Sequence, residues 1–176
     1  MTRSACRAPL PGAPRSRRAS WRDLDELERF VAEFTTDGSL LPRSRESLAG
    51  HLHMIRIVSE AGGIIGCGAL HRVDDTLAEI RTLAVAPPRQ GAGIGSRIVD
   101  ALLRDARREG IERVFCLTRR PGFFSRMGFE TAPHEDFPEK IWSDCRLCPL
   151  QSRCDEQAMM RSVRSRGVVA TARCGG

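Results

Sequence analysis

Three glycines alternate in "RQGAGIGS", Arg89–Ser96, just after the apolar run "TLAEIRTLAV" and two prolines. Ile94, Ile98, Ala101, Leu102 and Ala106 then recur at helical spacing. A strand that ends in such a turn and re-enters as a helix presents successive N–H groups, unobstructed by Cβ atoms, at the positive end of a helix dipole. A phosphate-bearing ligand is the natural guest. A P-loop and a dinucleotide fingerprint both need a glycine where Ser96 stands, and no lysine is near, so both are excluded. What remains is Gln90-x-x-Gly93-x-Gly95, preceded by Arg89. On the strand before it stands a carboxylate, Glu79, and two-residue alternation places Glu79, Arg81, Leu83 and Val85 on one face. From the residues alone, Glu79 reads as the partner of a structural ion pair with Arg81 or a neighbour.

A second cluster is C-x2-C-x5-C at Cys145, Cys148 and Cys154. These thiols lie close enough in sequence to chelate one ion, a structural zinc, but a closed site needs a fourth ligand. His134, Asp155 or Cys174 would complete it; the alternative is three buried thiols packing the C-terminal segment.

These residues need elements to hold them. Ser20 and Asp23 form a helix-start signal, with Leu24, Leu27, Val31 and Phe34 at helical spacing. A loop carrying Arg43 and Arg45 leads to a short helix over Arg45–His51. "MIRIVSEAGGIIGCGALHRV" reads as two strands joined at Gly62–Gly63, and Thr76–Val85 as a third, halted by Pro87–Pro88. The helix from Ile94 stops at Gly110; "IERVFCLT" is a strand, and "PGFFSRMGFE" a short helix returning to a strand at Phe129. Beyond Thr131 no periodicity is visible. The order describes a mixed α/β sheet, antiparallel at first, with a right-handed strand–helix–strand crossover over 76–118.

The net charge of +6 suggests a nucleic-acid partner, but its distribution does not. Nine arginines and no acids fall in residues 1–20 and 161–176, which leaves the body between them with 19 basic and 22 acidic residues. The expected division is therefore a basic tail or targeting segment over 1–19, one folded domain over 20–160 with its cysteine segment at 138–160, and a second basic tail over 161–176. No stretch approaches the ~20 apolar residues of a membrane span. The expectation is a cytoplasmic protein, or an organellar one if the arginine-rich N-terminus is a transit peptide.

The turn, the strand "AEIRTLAV" before it and "FFSRMGF" after it resemble the GNAT superfamily of acetyl-CoA-dependent N-acetyltransferases: a central twisted mixed sheet flanked by helices. "LLPRS", "GCGAL", "VFCLT" and "PEKIWSDCRLCPLQSRCDEQAM" are similar to bacterial amino-acid N-acetyltransferases, specifically the short single-domain N-acetylglutamate synthases of arginine biosynthesis. The resemblance spans about Leu24–Met159. It implies direct attack of an amine on the thioester, with Glu79 as base and the backbone of Leu83 at the acetyl carbonyl. Acetyl-CoA would be held by Leu83, Ala84, Val85, Arg89, Gln90, Gly91, Ala92, Gly93, Ile94, Gly95, Ser96 and Phe124. L-Glutamate would be held by Arg43, Arg81, Thr118 and Arg120, with Arg45 and Arg119 as neighbouring alternatives, since guanidinium forks suit carboxylates. The sequence does not set the oligomeric state, with a homodimer as one candidate. Phe124 stands where many members keep a tyrosine that protonates the departing thiolate, and the chain has no tyrosine. Ser125, Thr118 and Cys116 are the nearby substitutes. Another amine as acceptor, or a non-catalytic CoA- or partner-binding module, are the competing readings.

Overall fold

Alternation of apolar residues over Ile55–Glu60 (β2) and Gly63–Arg72 (β3), separated by two turn residues, produces an antiparallel hairpin. β3 in turn pairs antiparallel with Leu77–Val85 (β4), and β4 pairs in parallel with Arg113–Thr118 (β5). The β4–β5 crossover is Ile94–Arg108 (α3), as the sequence order requires. The computed structural model describes residues 14–36, 38–133, 136–137 and 154–163. Within them the seven-stranded sheet is completed by Ser16–Arg18 (β1), Glu130–Thr131 (β6) and Gln157–Ser162 (β7), in the order β1-β2-β3-β4-β5-β7-β6.

α3 covers one face of the sheet. Ile94, Ile98, Val99, Leu102, Leu103 and Ala106 pack there on Leu70, Ala78, Ile80 and Val114. The approach is close because β3 has no side chain at Gly66 or Gly68: a Cβ on Gly68 would lie 2.7 Å from Ile98 Cγ2. The opposite face carries Leu24–Glu33 (α1) and Arg45–Gly50 (α2), whose Leu24, Leu27, Val31 and Leu48 cover Ile55, Ile57 and Cys67. Over β5 and β7 the same face is covered by Ala132 and Phe137. The Ser20–Asp23 capping box forms as expected, opening a 3₁₀ turn that runs into α1.

The composition-based tails need correcting at their inner edges. β1 lies within 1–19, and β7 carries Arg161 into the sheet. Both are held by arginines whose partners lie outside their own strands. Arg17 makes two hydrogen bonds to Asp23, which hold that carboxyl far below the usual range against the effect of burial. Arg18 reaches Asp105 and Glu109 on or beside α3, and Arg161 donates to the Met127 carbonyl. An acid-free stretch is thus not a partnerless one.

Candidate active site

β4 and β5 are partners for only three residues, from Leu77 opposite Arg113 to Glu79 opposite Phe115. β5 pairs with β7 on its other edge along its full length, from Arg113 opposite Ser162 to Thr118 opposite Gln157, while β4 stays with β3. The two parallel strands therefore part above Glu79. Among the described residues, one backbone edge of β4 has no strand beside it from Ile80 to Val85, at the carboxyl ends of parallel strands where α/β sheets take their ligands.

A bulge sharpens this opening. The β3–β4 register slips between Cys67, opposite Ala84, and Ala69, opposite Arg81. Thr82 absorbs the extra residue with φ of 55°, the one positive φ outside glycine among the described residues. This overturns the expectation that Glu79, Arg81, Leu83 and Val85 share a face. Glu79 and Arg81 lie on the α1–α2 face, with His71 and Ala69 as their cross-strand partners. Past the bulge the parity inverts, so Leu83 and Val85 pack against the α3 cluster and Ala84 takes the other face.

The turn after β4 is built to leave donors open. Gly91 and Gly93 adopt φ of 82° and 78°, and both are exposed, with open space where a Cβ would stand. Gly93 caps α3, and the first helical hydrogen bond runs from Arg97 N–H to Gly93 C=O at 3.1 Å. The N–H groups of Ile94, Gly95 and Ser96 precede that ladder and point out of the helix end. Gln90 Nε2 donates to the Val85 carbonyl at 3.1 Å and ties the two ends of the turn. Arg89 is committed to Glu60, with bonds of 2.9 and 2.5 Å to one carboxylate oxygen. The two phenylalanines of Pro121–Arg126 (α4) divide their tasks. Phe124 is buried against Phe129 in the core under α3, whereas Phe123 is partly exposed and would touch a Cβ on Gly95 at 3.3 Å.

The far mouth of the cleft is rich in charge. Arg119 donates to Asp155 at 2.6 Å and to the Gly38 carbonyl at 2.9 Å, which ties the α1–α2 loop to the ends of β5 and β7. Thr118 is buried, and its hydroxyl accepts from the Arg120 N–H at 2.9 Å, starting α4. Arg43 is half-buried on the loop, while Arg45 is spent on Asp25 and Glu28 of α1. Glu156, half-buried and one step before Gln157, is a residue the sequence reading missed. Burial pushes its carboxyl up; Arg119 opposes that shift and Asp155 adds to it. Burial, followed by the charges of Glu79 and Glu156, also pushes the Cys116 thiol far up. Cys116 is therefore a poor proton donor. Glu79 has His71 directly opposite on β3, and the His71 ring lies 6.3 Å, edge-on, from His51 at the end of α2. Spacing singles out neither histidine, since only the β3–β4 register and the end of α2 bring them to Glu79.

Cys145 and Cys148 lie outside the described residues, and Cys154 is exposed. Among the described residues no group of three His, Cys, Asp or Glu could hold a metal, and no helix is long and apolar enough to cross a membrane.

Residues 17–129 match the Acetyltransferase (GNAT) family. The chain is 37% identical over 147 residues to an uncharacterized N-acetyltransferase of Chlorobaculum tepidum, covering 84% of this chain and 95% of that one. Its fold superposes on N-acetylglutamate synthase of Neisseria gonorrhoeae, complexed with coenzyme A and N-acetyl-glutamate, with a TM-score of 0.76 at 30% identity. That match covers 85% of this chain and 35% of the synthase, so the chain spans about a third of that relative's length. A Mycobacterium tuberculosis protein in complex with CoA and NLQ superposes with a TM-score of 0.71 at 30% identity, covering 85% of this chain and 99% of that one.

Proposed function

The chain belongs to the GNAT family of acetyltransferases, and on that footing we propose that it transfers the acetyl group of acetyl-CoA to the α-amine of an amino acid, with L-glutamate as the acceptor. The observation that carries this reading is the parting of β4 and β5 above Glu79, beside a helix-capping turn with open N–H groups. The diphosphate of coenzyme A sits on the amides of Gly91–Ser96, where the helix dipole favours negative charge. Its pantetheine arm takes the strand position left empty beside Ile80–Val85. The amine nitrogen attacks the thioester carbonyl while Glu79 accepts its proton; the tetrahedral oxyanion, held by the backbone near Leu83, collapses and expels the thiolate. A thiol pKa near ~8.5 lets water protonate that leaving group, which suits a site with no tyrosine and a Cys116 thiol too weak an acid to serve.

Arg81, on the face of Glu79, and Arg43 and Arg120 at the mouth are the partners we assign to the two carboxylates of glutamate. Its product would place the enzyme in arginine biosynthesis. Glu156 favours a second reading. A half-buried carboxylate beside Arg119 repels an acidic side chain and suits an acceptor whose side chain ends in an amide or a cation.

Free-thiol release from acetyl-CoA with a panel of amino acids and polyamines tests both. Turnover on glutamate, reduced about 10²-fold or more in Glu79→Gln with acetyl-CoA binding retained, supports the leading reading. Activity on a neutral or cationic acceptor with none on glutamate retires it, and unchanged turnover of Glu79→Gln removes that residue from the mechanism.

A further inference from the structure

A base that removes a proton in each turnover must lose it again before the next. Glu79 lies under the cleft, with Leu77 and Phe115, both buried, beneath and beside it. On its other side is His71, its direct cross-strand partner, on the same face of the sheet. Side chains so placed start from Cβ atoms about 5 Å apart, within reach of one another. His51 follows. Its ring centroid is 6.3 Å from that of His71, edge-on at an interplanar angle of 67°. His51 Nδ1 lies 2.6 Å from the Ser47 carbonyl. A carbonyl only accepts, so Nδ1 carries the hydrogen and Nε2 of the neutral ring keeps its lone pair. His51 is half-buried and caps the end of α2, and its neighbour His53 is exposed.

We propose that His71 and His51 form a proton path that returns Glu79 to its carboxylate form, carrying the amine's proton along the α1–α2 face to solvent. This rests on the reading of Glu79 as the base. The amine N–H bond breaks and a Glu79 O–H bond forms as the nitrogen attacks. The Glu79 proton then passes to a lone pair of the His71 imidazole, whose other nitrogen gives up its hydrogen through an intervening solvent water to His51 Nε2. His51 then releases its Nε2 hydrogen to bulk water, while its Nδ1–H stays on the Ser47 carbonyl. No electron leaves or enters, and coenzyme A takes its own proton separately from water. His71 and His51 are positioning and relay residues, since neither touches the thioester.

Removing a relay base, unlike removing a structural partner, is repaired by a diffusible one. His71→Ala and the near-isosteric His71→Gln, both screened for unchanged melting temperature and acetyl-CoA affinity, are assayed with increasing imidazole. The expected result is kcat lowered at least about tenfold with KM for acetyl-CoA unchanged, and restored by imidazole in proportion to its free-base concentration. His51→Asn is expected to show a smaller, likewise rescuable loss. Glu79→Gln is the control and should be inactive whatever the buffer. Parent-like turnover of both His71 variants, or a loss that no imidazole concentration restores, overturns the relay while leaving Glu79 in place. A fully active Glu79→Gln overturns the base assignment and the relay with it.

Discussion

Phe124 shows how position in a motif and position in space diverge. Its place in "FFSRMGF" assigns it to the cofactor by resemblance, yet its ring is 5% exposed and packs edge-on against Phe129 at a centroid distance of 5.2 Å. Phe123, one residue earlier, is the ring that meets the start of α3. Phe124→Ala is therefore expected to cost about 3–5 kcal/mol of stability, read as a lower denaturant midpoint, with little change in KM for acetyl-CoA measured well below the transition. A raised KM with an unchanged midpoint would return Phe124 to the cofactor site. The assignment of Glu79 differs in kind: its residue type and strand were legible, whereas its histidine neighbours come from a pairing register that no local spacing encodes.

At the scale of elements, the cleft depends on β4 being irregular. Alternation predicts a regular strand, and it fails at Thr82 because one inserted residue inverts the parity of everything after it. The hairpin, the glycine turn, α3 and the short helix after β5 were readable from period, turn residues and caps. β1 and β7 were not: β1 is three residues long and β7 follows a stretch without periodicity, so both exist through their partners. Asp105 is the clearest such link. It sits on α3 at 7% side-chain exposure and accepts from Arg56 of β2 at 2.7 and 2.6 Å, with Arg18 of β1 at 3.4 Å. Burial raises its carboxyl, the hydrogen bonds and charge of Arg56 with help from Arg18 lower it further, and the net lies below the ordinary value. Such a group stabilises the fold fully above the unfolded carboxylate pKa, near ~3.9, and that stability is lost as pH falls through the lower folded value. Asp105→Ala is expected to destabilise by about 3 kcal/mol at neutral pH, leaving Arg56 half-enclosed without its carboxylate, and to flatten the acid limb of the stability curve. An unchanged limb in equilibrium unfolding from pH 6 downward would show that other carboxylates set it.

Among the described residues the sheet is covered on both faces by hydrophobic contacts, and two of its parallel strands part above Glu79. α3 seals one face, α1 and α2 seal the other, and Arg119 ties the α1–α2 loop across to the end of β7. On the proposed function, acetyl-CoA approaches from the α3 side of the turn and the amine from the α1–α2 side, to meet above Glu79. The measurement that bears on this most directly is a crystal structure of the complex with coenzyme A. The account predicts the diphosphate within hydrogen-bonding distance of the Gly91–Ser96 amides and the pantetheine alongside Ile80–Val85, with its sulfur above Glu79. A diphosphate bound elsewhere, with the cleft between β4 and β5 left empty, would contradict it.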